Sequence, residues 1–234
     1  MAQQKNKVEP AHHDAGEVIE TAINKTELFF QKNSKIFTYA LAVIVVVVGG
    51  YFGYKYLYKQ PRNAKAQNMI FVAEQQFAID SFAVALNGDG NNAGFLDVIS
   101  RYGNTSAGNI AKHYAGVCYL RIGDLDNAMT YLSKYRSVGG VPSNIINAQN
   151  IGLQGDIYSQ REQYQQAVEK YFKSADAGKN SFTAPYYLKK AGLVYVKMRN
   201  GGKAKETFER IRNEYPTSME ARDIDKYIGE AGQI

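Results

Sequence analysis

The sequence predicts an all-α chain in which a single N-terminal membrane-spanning helix precedes an α-solenoid of stacked helical hairpins. Two observations carry this. The first is the stretch IFTYALAVIVVVVGGYFGY, Ile36–Tyr54, nineteen residues without a charge between Lys35 and Lys55. The second is a set of small and large residues that recurs at fixed spacing in three copies further along.

The apolar run comes first in the argument because it divides the chain. A helix rises about 1.5 Å per residue, so nineteen residues just cross a hydrocarbon core of roughly 30 Å. A helical run pairs its own backbone groups, as lipid requires. Phe37 and Tyr39 stand near one edge, and Tyr51, Phe52, Tyr54, Tyr56 and Tyr58 crowd the other, where aromatic rings favour the headgroup layers. The polar residues before the run, and the bulky YKYLYKQP after it, argue for an uncleaved anchor over a signal peptide. The predicted organisation is a polar tail over 1–35, an anchor over 36–58 and a helical repeat domain over 59–234, with clear repeats within 109–218.

In the tail, adjacent His12 and His13 make a poor chelate and read as plain tail. From Glu17 to Lys32 a helical pattern places Ile19, Ile23, Phe29 and Phe30 near one face. It reads equally as a surface or docking helix and as a continuation of the anchor. Within the anchor, Gly49 and Gly53 form a GxxxG pair, which reads either as a helix-packing face or as lipid-exposed glycine. Lys25, Lys32 and Lys35 on one side balance Lys55, Lys59, Arg62 and Lys65 on the other, so charge leaves orientation open.

The net charge of +6 is dispersed. After Pro61 there are 21 Lys and Arg against 17 Asp and Glu, with neither a basic stripe nor a nucleic-acid-binding module. The sole cysteine, Cys118, lies in an apolar helical pattern and allows no internal disulfide. Arg62–Tyr102 reads as a leading helix pair, with DSFAVALNGDGNN, Asp80–Asn92, as the intervening turn. The NGDGN lacks the glycine and distal glutamate spacing of a calcium loop. Gly103 ends the second helix, Phe95–Tyr102.

The repeat appears when Gly116, Gly155 and Gly192 are aligned. Three residues later come Tyr119, Tyr158 and Tyr195; nine further, Ala128, Ala167 and Ala204; four beyond, Leu132, Tyr171 and Phe208. Small residues let two antiparallel helices cross closely, and the larger ones fill the space between them. Each hairpin alone buries too little, so stacking creates the core. With Met219–Ile228 as a closing helix, about nine helices result.

These residues resemble the tetratricopeptide repeat, whose hairpins wind into a right-handed superhelix. The motif tryptophan is absent, and the offsets of 39 and 37 residues exceed the usual ~34. The excess fits loops at Val138–Ser143 and Ala177–Ser181. The resemblance implies a peptide-holding groove lined by the first helix of each hairpin. Counting from the aligned glycines, its candidates are His113, Val117 and Arg121, then Gln149, Asp156 and Ser159, then Tyr186, Lys189 and Lys197. Each of these reads alternatively as a contact to a neighbouring helix. The set lacks the dense Lys/Asn/Arg array of carboxylate-clamp repeats, which favours a ligand of mixed or apolar character.

No P-loop, GxGxxG helix start, HExxH or CxxC occurs, and His113 is the sole histidine outside the tail. The reading is therefore non-enzymatic, with no cofactor, metal, nucleic acid or small-molecule substrate. At the scale of the whole chain, VVVVGGYFGYKYLY leading into a proline, DSFAVALNGDGNNAGFLDVISRYGNTSAGN, YAGVCYLRIGDLDNAMTYL and TAPYYLKKAGLVY are similar to the ancillary translocon subunit (YfgM-like) family in its Bacteroidota form. That resemblance implies a cytoplasmic tail and periplasmic repeats. It also implies association with the SecYEG translocon and a PpiD-type periplasmic chaperone, and assistance to emerging exported chains. A scaffold for another cell-envelope or secretion assembly remains the alternative, because repeats do not encode partner identity legibly.

Overall fold

The computed structural model describes Phe29 and residues 32–234. The tail histidines and most of the Glu17–Lys32 pattern lie outside the described residues. Contacts divide the chain into two units between Gln60 and Pro61.

In the first unit, helix α1 spans Ser34–Gly53 and passes into a π-helical turn at Tyr54–Lys59. It contains the predicted uncharged run up to Gly53, with Tyr54 opening the π-helical turn, and buries none of its residues. Its length and apolar composition suffice to cross a membrane. The aromatic collar is ordered by ring contacts: Phe52 stacks on Tyr56 at 6.0 Å, and Tyr54 on Tyr58 at 5.5 Å. A Cβ added at Gly49 or Gly53 would meet nothing within 4 Å, so both glycines lie on open helix surface.

The second unit holds ten α-helices: α2 (Gln60–Ala78), α3 (Phe82–Asn87), α4 (Phe95–Tyr102), α5 (Ser106–Arg121), α6 (Leu125–Lys134), α7 (Val141–Gln160), α8 (Tyr164–Gly178), α9 (Thr183–Lys197), α10 (Gly201–Glu214) and α11 (Ile224–Ala231). A 3-10 turn, Glu220–Asp223, precedes α11. The helix beyond the expected nine is α3, inside the stretch read as a turn. Phe82, Ala85 and Leu86 supply a one-face pattern too short to stand out: Ala85 and Leu86 are buried, and Phe82 meets the Phe77 ring at 5.5 Å. The NGDGN that follows is an Asx turn. Asp89 accepts from the backbone N–H groups of Asn91 (2.9 Å) and Asn92 (2.6 Å), so its carboxylate is already occupied.

The three hairpins are α5–α6, α7–α8 and α9–α10, and their repeat residues form one recurring contact. A Cβ at Gly116 would lie 2.6 Å from Leu132 Cγ; at Gly155, 2.7 Å from Tyr171 Cε1; at Gly192, 2.2 Å from Phe208 Cε1. The first position of the motif is thus empty because the fourth fills it. Ala128, Ala167 and Ala204 are each fully buried at the same crossing. The turns match as well. Gly123, Glu162 and Arg199 occupy equivalent positions with φ of +87°, +58° and +53°. The N–H of the next residue then returns to the carbonyl of Tyr119, Tyr158 or Tyr195. Side chains of Asp124 and Asn200 cap the helices that follow.

Longer offsets arise from α7, which is twenty residues long, and from a connection before it held by two asparagines. Asn109 donates to the Arg136 carbonyl (2.7 Å) and accepts from the Arg136 N–H (2.9 Å). Asn147 treats Val138 in the same way, at 2.8 and 3.2 Å. The irregular backbone therefore keeps its polar groups paired without secondary structure.

The Gly192–Phe208 contact yields a prediction. Phe208 is fully buried and cannot retreat, so Gly192→Ala should cost about 1–3 kcal/mol. Gly202 has open space around it in α10, and Gly202→Ala should instead stabilise by about 0.5–1 kcal/mol. Urea midpoints of the full chain in mild detergent, followed by far-UV circular dichroism, check both.

Candidate functional site: a groove across the first helices

Helices α5, α7 and α9 pack as a row, and the 3-10 turn at Glu220–Asp223 packs against α9. Their common face encloses a groove of about 850 Å3. Five of the nine sequence candidates line it: Val117, Arg121, Gln149, Asp156 and Tyr186.

The other four lie elsewhere. His113 is one turn before Val117 on the same helix face, but α7 closes over that end of α5. Its Nδ1 lies 3.3 Å from Asn150 Nδ2, and its side chain is buried in the joint between the first two hairpins. Ser159 sits beside the Tyr171 hydroxyl, within its own hairpin. Lys189 is 2.6 Å from Asp223 Oδ1 and lines an adjoining hollow shared with Tyr186, Met219 and Glu220. Lys197 is exposed at the end of α9 and lines neither cavity. Helix register alone could not separate these fates, because the same face meets ligand space at one turn and the next repeat at another.

Several lining residues escaped the sequence reading. Ile145 and Leu153 lie four residues either side of Gln149 on α7, so extending that stripe would have found them. Phe182 and Met219 come from connections between helices, where no periodicity points to them.

The groove floor is set by a polar cluster. Asp156 Oδ1 accepts from the Tyr171 hydroxyl at 2.7 Å and from Lys190 Nζ at 2.8 Å. Lys190 Nζ also stands 4.8 Å from the centre of the Tyr186 ring. Burial works against the Lys190 charge, but the Asp156 carboxylate outweighs it and the ammonium's pKa is raised. Burial, with the Asp156 charge adding to it, pushes the Tyr171 hydroxyl up as well. Asp156 and Lys190 thus neutralise each other, and the floor presents little net charge.

Burial holds both Cys118 and His113 in their neutral forms. Burial pushes the Cys118 thiol up to about 12, which leaves no thiolate at neutral pH. Burial holds His113 neutral with a pKa of about 4, away from the groove. Among the described residues no group of three or more His, Cys, Asp and Glu is placed to hold a metal ion. What the site offers is a concave surface in which apolar side chains alternate with polar ones such as Gln149, Gln160 and Thr183.

His113 gives a pH signature. Its pKa in the folded chain lies below the ordinary 6.5, so the unfolded chain takes up the proton first as pH falls. The stability this adds is present above pH 6.5 and is lost from there down towards pH 4. The urea stability should fall by about 2 kcal/mol between pH 7 and pH 5. His113→Gln, which retains a hydrogen-bonding amide, should flatten that slope when the same titration is repeated.

Compared with known families, the chain matches the tetratricopeptide repeat at residues 111–137 and 188–218. No curated protein matches it. The matched segments fall on the first and third hairpins. The second, between them, repeats the same Gly155–Tyr171 contact and the same left-handed turn. The groove is therefore the shared face of a stack of three hairpins, two of which match a repeat that mediates contacts between proteins.

Proposed function

We propose that the chain is a membrane-anchored interaction scaffold that assists protein export, holding segments of partner or client polypeptides in the groove of its repeat domain. One observation carries the reading: a groove with apolar walls and a neutralised floor belongs to the same chain as a wholly exposed apolar helix. An anchor confines the groove to the membrane surface, where raised local concentration compensates for modest affinity. The sequence resemblance supplies the rest of the proposal. The tail faces the cytoplasm and the repeats the periplasm of the inner membrane. The partners are the SecYEG translocon, a PpiD-type periplasmic chaperone and nascent exported chains. Gly49 and Gly53 are proposed to pack against a partner's membrane helix, for which their open surface leaves room.

Cross-linking in native membranes, followed by purification in mild detergent and identification of the co-purified proteins, tests this. Channel subunits and a periplasmic chaperone should be recovered, and recovery should fall when Gly49→Leu and Gly53→Leu are combined. Recovery of a different envelope assembly without the channel would keep the scaffold and replace the partners. A tag after Ile234 that proteases reach only from the cytoplasmic side would overturn the periplasmic placement.

A further inference from the structure

The groove is lined by apolar side chains between one cationic residue, Arg121, and one anionic residue, Glu220. Phe182 and Met219 are each 73% exposed, and both turn into the cavity beside Tyr186 and Ile145. Four large apolar side chains thus stand open to solvent around one hollow whose floor charges, Asp156 and Lys190, already satisfy each other. Solvent-exposed apolar groups gathered in one concavity mark a surface that another molecule covers.

The ends differ. Arg121 comes from α5, the first helix of the row, and Glu220 from the 3-10 turn beyond α9, the last element. Both line the groove, and neither belongs to an ion pair among the described residues. Helices pack about 8–10 Å apart, so the three steps from α5 to the turn beyond α9 span about 24–30 Å, which about seven to nine residues of extended chain would cover.

From this polarity we infer that the groove binds an extended polypeptide segment with a central aromatic or large aliphatic side chain, an acidic residue towards Arg121 and a basic residue towards Glu220. The central side chain sits against Tyr186 and Phe182, and the charges lie at the two rims. The segment's overall neutrality follows from the floor, where a net charge would meet an ion pair with no free valence. The inference rests on the proposed role of the groove as the chain's binding face, and it narrows what that face accepts.

The test uses the full chain in detergent micelles and fluorescein-labelled peptides. Each peptide carries Asp and Lys about eight residues apart around a central Phe, with Ser and Gly elsewhere, and both chain directions are made. Fluorescence anisotropy should show saturable binding for at least one direction, with Phe→Ser in the peptide weakening it by about tenfold or more. Arg121→Glu should weaken binding by about threefold to tenfold, and changing the peptide's Asp to Lys should restore it. Glu220→Lys should behave reciprocally towards the peptide's Lys. The rescues show that the variants are folded. Absence of binding by every peptide, or binding indifferent to both charge reversals, overturns the inference. So does a groove closed by a second copy, seen as a dimer mass insensitive to peptide. Each of those outcomes leaves the co-purification of export partners as a separate question, so the two readings fail independently.

Discussion

A glycine opposite a large side chain is the constraint on which the rest of the repeat domain depends. Gly116 receives Leu132, Gly155 receives Tyr171 and Gly192 receives Phe208, so the two helices of each hairpin approach to a distance that no Cβ would permit. That approach buries Ala128, Ala167 and Ala204 completely and brings the turn residues Gly123, Glu162 and Arg199 into the left-handed region. Two of those turns accept the strain of a non-glycine residue, which a local preference alone would not choose. The crossing sets the turn. With the hairpin geometry fixed, the first helices stand side by side, and their shared face becomes the groove.

The two joints between hairpins use different chemistry. The first is a chain of polar groups without an ion pair: His113 meets Asn150, whose Oδ1 accepts from Gln154, whose own Oε1 accepts from Lys170. The second is ionic, with Lys190 of α9 on Asp156 of α7 and Tyr171 completing the carboxylate's partners. Partly buried ion pairs contribute little net stability, but an unpaired member is costly, so such a pair penalises any other register. Asp156 thereby fixes α9 against α7 and holds Tyr186, whose ring lies over Lys190, at the groove wall. A solenoid's stability is roughly a sum of hairpins and joints. A groove that spans three hairpins needs both joints intact.

The fold was legible because its governing contact is a sequence pattern. A small residue and a large one at constant offset must recur wherever the same crossing recurs, and their identities give the reason for the spacing. The long apolar helix α1 was legible for a simpler reason, since length without charge suffices. The misreadings share a cause. Helix α3 is too short for periodicity to separate it from a turn, and its evidence is the burial of Ala85 and Leu86. His113 and Ser159 occupy plausible registers, but a helix in a stack divides each face among ligand space, its own hairpin and its neighbour. Phe182 and Met219 reach the groove from connections, where position depends on the folded chain and not on any repeat.

That division of faces bears on how a shallow groove becomes selective. Its floor is occupied by groups already satisfied within the protein, so a ligand gains little by reaching down to Asp156 and must draw its affinity from the walls and ends. Apolar walls favour burial without sequence discrimination. The ends supply what discrimination there is, because Arg121 and Glu220 are separated by the full row of helices and impose a direction along it. Charges at an exposed rim steer and orient more than they bind. A segment held this way is ranked by its apolar centre and aligned by the charged residues at its two ends.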